Sequence, residues 1–176
     1  KVRKITVKGK LGKGVFAKDV ILTIINILGV NGGIGYAYEY AGSVIDAMSM
    51  EERMTLCNMS IEGGAKCGYV NPDSKTFDYI KGKEFAPEDF EKALTYWKSI
   101  ASDDDATYDD EFIIDGSTIE PTVTWGINPG QAIGVSEKIP SVSSYSADEQ
   151  LTATQALEHM QFKEGDSLLD KKIDVA

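Results

Sequence analysis

The sequence predicts an α/β fold, and three observations near its start predict it. Arg3-Lys-Ile-Thr-Val-Lys8 alternates polar and apolar residues, the period-two pattern of a strand with Ile5 and Val7 facing in. Residues 18–28 then read as a helix carrying Val20, Ile21, Ile24, Ile25, Ile27 and Leu28. A helix apolar on most faces is expected to lie against a sheet. Tyr36-Ala-Tyr-Glu-Tyr40 reads as a second strand. Strand, helix, turn, strand is the opening of an α/β unit.

The remaining elements follow in order. Gly9, Gly12 and Gly14 make the loop after the first strand, Gly29 stands where a helix ends, and Asn31-Gly-Gly33 makes a turn. Ser49 and Glu52 form a capping box (Ser-x-x-Glu), so a helix is expected over residues 50–65. Its inward side chains are expected to be Met54, Leu56 or Cys57, and Ile61. Asn71-Pro-Asp73 stops the next element. Pro87 can open a further helix, with a stripe of Phe90, Ala93 or Leu94, Trp97 and Ile100. Residues 112–125 contain two strand-like runs around Gly116 and Pro121, and residues 126–130 make a turn. Residues 139–146, rich in Pro and Ser, read as a linker. A second capping box, Ser146 with Glu149, opens a helix to about Met160 with Leu151, Leu157 and Met160 apolar. Ile173-Asp-Val175 reads as a strand. No internal repeat is present.

Composition narrows the function. The 176 residues are 42% apolar, enough to bury a core, and carry a formal net charge of −10. A pI near 4.6 argues against nucleic acid or an anionic membrane as the main partner. The charge is uneven: residues 1–18 hold seven Lys and Arg and no acid, whereas Asp103-Asp-Asp105 and Asp109-Asp-Glu111 form an acidic run. Both read as solvated surface. No stretch is long and apolar enough for a membrane helix, and no signal peptide is visible. The two cysteines, Cys57 and Cys67, make no disulfide framework and are expected to be small buried thiols in a reducing compartment. The chain opens at Lys1 without a methionine, so an excised piece of a longer protein is expected.

Few motifs carry chemistry by themselves. Gly32-Gly-Ile-Gly35 lacks the third glycine of a dinucleotide fingerprint and the Gly-Lys-Ser/Thr of a P-loop, and it precedes a strand rather than a helix. His159 is the only histidine, so no Ser/His/Asp triad is available. The cysteines are ten apart without a Cys-x-x-Cys, too few for a complete metal site. The stretch Asn58-Met-Ser-Ile-Glu-Gly-Gly64 stands out. Asn58 and Glu62 are i,i+4 and share a face on a helix. Two adjacent glycines cost a helix about 1 kcal/mol each relative to alanine, which points to another backbone or a ligand coming close. On pattern alone the pair also fits a plain polar helix face.

Residues 48–66, Met-Ser-Met-Glu-Glu-Arg-Met-Thr-Leu-Cys-Asn-Met-Ser-Ile-Glu-Gly-Gly-Ala-Lys, resemble the 3-isopropylmalate dehydratase large subunits of the aconitase family. Further blocks agree in the family's order: Gly14-Val-Phe-Ala-Lys-Asp-Val-Ile-Leu22, Gly32-Gly-Ile-Gly-Tyr-Ala-Tyr-Glu-Tyr40, Val70-Asn-Pro-Asp73, Ala93-Leu-Thr-Tyr-Trp-Lys98 and Val123-Thr-Trp-Gly-Ile-Asn-Pro-Gly-Gln131. The resemblance implies an aconitase-type three-layer α/β domain. Residues 1–115 would be the second α/β domain of the large subunit, and residues 116–176 the strands, linker and helix leading into the cluster-bearing domain. It implies a cytoplasmic hydro-lyase of leucine biosynthesis that interconverts 2- and 3-isopropylmalate. A [4Fe-4S] cluster would act as Lewis acid, and a small subunit would complete the site. Asn58 and Glu62 match the family's Asn-Met-x-x-Glu motif and are the expected catalytic residues.

The family's cluster cysteines, one in Gly-Ser-Cys-Thr-Asn and two in Cys-x-x-Cys, do not occur in this sequence. The resemblance therefore implies no cluster ligand here, and an internal fragment that folds but is inert alone. Two other readings stay open. A sister dehydratase, homoaconitase or a methylmalate-type hydro-lyase, shares these motifs. A non-catalytic scaffold that borrowed the fold is the second.

Overall fold

The computed structural model describes residues 1–169, 171–173 and 175. Four parallel strands, β1 (Val2–Lys8), β2 (Ala37–Ala41), β3 (Cys67–Val70) and β4 (Asp110–Asp115), form a sheet in the order β3-β2-β1-β4. Parallel neighbours need crossovers, and helices supply them. Helix α1 (Ala17–Leu28) joins β1 to β2. Helices α2 (Ser43–Ala47) and α3 (Met50–Met59) join β2 to β3. Helices α4 (Ser74–Ile80) and α5 (Phe90–Ser99) join β3 to β4. The α/β class follows directly from this alternation.

The predicted alternation places the core. Ile5 and Val7 of β1 are buried, and so are Tyr38 and Tyr40 of β2 and Val20, Ile21, Ile24 and Ile25 of α1. Glu39 lies between the two tyrosines and so faces the other side of the sheet. It is buried there and accepts hydrogen bonds from Asn71 Nδ2 (3.0 Å) and the hydroxyls of Tyr69 (3.2 Å), Ser102 (2.6 Å) and Tyr108 (2.8 Å).

The third helix is shorter than expected and turned differently. It ends at Met59, and a 3-10 turn, Ser60–Gly63, takes over. The helix buries Arg53 and Leu56 and the turn buries Ser60 and Gly63, while Met54 and Ile61 are 45% and 63% exposed. The cause is polar. Ser60 Oγ donates to the Leu56 carbonyl at 2.8 Å and shares a 2.7 Å hydrogen bond with the Tyr40 hydroxyl. A serine bonding back to the carbonyl four residues earlier competes with helix continuation. Gly64 closes the turn at φ +83°, and a Cβ there would stand 2.9 Å from the Val30 carbonyl. Gly33 N–H donates to the Gly63 carbonyl at 2.8 Å. The glycine pair thus answers to a neighbouring backbone.

The rest of the chain builds a second core. Strands β5 (Thr122–Thr124) and β6 (Ala132–Gly134) pair antiparallel, and α6 (Ala147–Met160) follows. Trp125, Ile133, Ile139, Ala153, Ala156 and Leu157 are buried together. The expected linker, residues 139–146, is packed structure instead. Ile139 is buried, residues Val142–Ser144 form a 3-10 turn, and Glu164 accepts from Ser141 Oγ (2.9 Å) and Val142 N–H (3.1 Å). In α6 the small Ala153 and Ala156 face inward and Leu151 is exposed, against expectation. Helix α1 touches both β5 and β6. Neither Ile173 nor Val175 lies in a strand, and Asp174 of that expected strand lies outside the described residues.

Candidate active site

Glu62 lines an open groove of about 690 Å³. One wall comes from the start of α1: Phe16, Lys18, Asp19 and Leu22. Met59 and Glu62 come from the end of α3 and its 3-10 turn. The remaining wall is residues 122–124 of β5 with Gly126, Ile127, Asn128 and Pro129. Phe16 and Ile127 are 66% and 55% exposed, so the groove carries apolar surface beside its charges.

Asp19 joins two of these walls. The N–H groups of the first helical turn lack partners within the helix, and Asp19 accepts the Phe16 N–H at 2.7 Å. Its other oxygen accepts the Thr122 N–H at 2.7 Å, from 103 positions away in the chain. The loop after β5 is braced from inside. Gln131, almost fully buried, accepts the Ile127 N–H at 2.7 Å through its Oε1. Trp125 N–H donates to the Gln131 carbonyl, Gln131 N–H to the Asn128 carbonyl, and Gly130 N–H to Asn128 Oδ1 at 2.9 Å. Gly126 lies against the Gln131 side chain with no room for a Cβ.

Glu62 is exposed, and among the described residues no hydrogen bond or ion pair engages its carboxylate. Asn58 is also exposed, one position before the end of α3, and lies outside the groove lining. The backbone passes from α to 3-10 geometry at Ser60, between the two. A 3-10 helix turns about 120° per residue against about 100° for an α-helix, so the unbroken helical face expected for the pair is not present. Asp19, Ile127 and Gln131 did not stand out in the sequence as site residues. An acid in the first turn of α1 was the available signal for Asp19.

The model of the aconitase family (aconitate hydratase) matches residues 1–176. The chain belongs to the aconitase family. It is 61% identical over 99% of its length to the 3-isopropylmalate dehydratase large subunit of Synechocystis sp.. It is 59% identical over 99% of its length to the proteins of that name from Microcystis aeruginosa and Gloeothece citriformis. In each case it spans 38% of the relative's length.

Iron–sulfur clusters are held by sets of cysteine thiolates, and cysteine is sparse in this aconitase-family chain. It has two cysteines, Cys57 on α3 and Cys67 at the start of β3. Burial, with Cys67 nearby, pushes the Cys57 thiol above its ordinary range and away from the thiolate form. Cys67 is exposed rather than buried, a correction to its expected place. Among the described residues no group of three or more His, Cys, Asp or Glu could hold a metal ion. Among the same residues no helix is long and apolar enough to cross a membrane.

Proposed function

We propose that this chain forms part of a hydro-lyase that interconverts 2-isopropylmalate and 3-isopropylmalate by dehydration and rehydration, in leucine biosynthesis in the cytoplasm. The observation that carries the proposal is identity near 60% across 99% of the chain to relatives named 3-isopropylmalate dehydratase large subunit. Residues 1–115 form the second α/β domain of that subunit, and residues 116–176 lead into the next.

The groove is the proposed substrate face. Glu62 is the acid–base group, and its unpartnered carboxylate is free to meet the departing or arriving oxygen of a hydroxy acid. Lys18 supplies a cation within the same groove for a substrate carboxylate. Phe16, Leu22, Met59 and Ile127 offer apolar surface suited to a branched aliphatic group. Asn58, next to that end of α3, is the proposed neutral donor completing the pair. The [4Fe-4S] cluster that the family resemblance implies would rest on residues outside this chain, and a small subunit would be the partner.

The test is an assay of the full-length protein, assembled with its small subunit and reconstituted with iron and sulfide. Hydration–dehydration of isopropylmalates, with weaker turnover of homocitrate-type and methylmalate-type substrates, supports the reading. Preference for either alternative substrate, or no turnover by a fully assembled enzyme, overturns it.

A further inference from the structure

We infer that Asp19 is a positioning residue that holds the 122–129 wall of the groove that Glu62 also lines. The inference rests on the proposed function for the meaning of that groove, and on geometry for the rest. A capping aspartate needs only one oxygen for its helix. Asp19 uses one for the Phe16 N–H and turns the other to the Thr122 N–H, both at 2.7 Å. Thr122 is the first residue of β5, and the loop that lines the groove begins directly after that strand. The anchor therefore lies at the root of the wall.

Beyond the anchor the wall behaves as one piece. Gln131 ties the loop to itself through Ile127 and Trp125, and Asn128 ties it through Gly130 and Gln131. A loop braced in this way is displaced as a unit. Glu62 is anchored separately, because its 3-10 turn begins at Ser60, which is fixed by Tyr40 and Leu56. The Glu62 turn and β5 both pack against α1. The β5 wall is tied to α1 by the charge-assisted hydrogen bond from the Thr122 N–H to Asp19.

Two substitutions separate this role from simple helix capping. Asp19→Asn removes one acceptor oxygen. Asp19→Glu keeps a carboxylate suited to the capping position but moves its second oxygen off Thr122. Both are made in the full-length enzyme with its small subunit and cluster. The expected result for both is a rise of about threefold to tenfold in KM for 3-isopropylmalate, the upper end being the worth of one lost hydrogen bond to a charged group, with kcat within about twofold. Amide exchange at residues 122–124 should accelerate in both. The thermal midpoint of Asp19→Glu should stay near that of the unsubstituted enzyme. Unchanged KM and unchanged exchange at β5, with only a lower thermal midpoint, would overturn the inference. Full turnover by Glu62→Gln would instead remove the functional reading, and exchange at β5 would still decide whether Asp19 holds the wall.

Discussion

Arg53 on α3 donates two hydrogen bonds, 2.8 and 2.6 Å long, to the two carboxylate oxygens of Asp73 at the cap of α4. The pair is unequal. The Arg53 side chain is 3% exposed and the Asp73 side chain 39%. Arg53 also reaches back to the carbonyls of Ile45 and Asp46, so this one side chain ties α3 to both α2 and α4.

That inequality sets the first prediction. Removing Asp73 leaves a buried guanidinium without its counter-charge, whereas removing Arg53 leaves a carboxylate that water can reach. Asp73→Ala should cost about 3–5 kcal/mol. Arg53→Met, which keeps the volume, should cost about 1 kcal/mol. Urea denaturation of the two variants checks the order, and a larger cost for Arg53→Met would contradict it.

The same pair makes stability depend on pH. Hydrogen bonds from Arg53 hold the Asp73 carboxyl below its ordinary value of 3.8, against the opposing effect of burial and with help from the Thr76 N–H. A carboxyl whose folded value is depressed stabilises the fold above the unfolded value. That stabilisation fades as pH falls through 3.8 toward the lower folded value. Asp73→Asn should therefore differ from the unsubstituted chain at neutral pH and converge on it in acid. A gap that stays constant down to about pH 2 would contradict this.

Glu39 is a buried carboxylate held by four neutral donors. Tyr69 is one of them, and burial together with Glu39 pushes its phenol up to about 12, so it stays a donor at neutral pH. Ser102 and Tyr108 stand at the two ends of the segment carrying Asp103, Asp104 and Asp105. Glu39→Ala strips the acceptor from all four and should cost about 2–4 kcal/mol. Amide exchange in residues 101–109 should rise with it. Stability unchanged in urea would show that water satisfies the donors equally well.

The cysteines offer a separate check. Cys67 is exposed and Cys57 half-buried with its thiol pushed up by burial. Thiolate is the reactive form, so a thiol reagent at neutral pH should modify one cysteine quickly and the other only as the fold opens. Mass spectrometry of the labelled peptides should place the fast label on Cys67. Fast labelling of Cys57 would mean α3 is not seated as described.

Much of the first core was legible because its signals are local. The alternation in β1 and the apolar faces of α1 needed no distant partner to be read. Residues whose partners lie far off in sequence were misread. Arg3 and Asp110, from the two charged runs that read as solvated surface, are paired at 2.6 Å, with Arg3 buried. Ser60 reads as helical until Tyr40 is seen to hold it. Strand β6 is three residues long, too short for periodicity to mark, and Ile139 reads as linker until the second core closes over it. At the groove, the motif singled out Glu62, which lines it, and Asn58, which does not. Asp19 was not legible, because its defining hydrogen bond crosses 103 positions.

The central claim is that this fold presents Glu62 as an acid–base group on the wall of an active site. The most direct measurement is turnover of 3-isopropylmalate by full-length Glu62→Gln enzyme, with cluster absorbance and small-subunit assembly followed in parallel. The account predicts a loss of about 100-fold or more in kcat with cluster and assembly intact, the scale of a lost general acid–base group. Near-normal turnover would contradict it and return Glu62 to an ordinary solvated side chain.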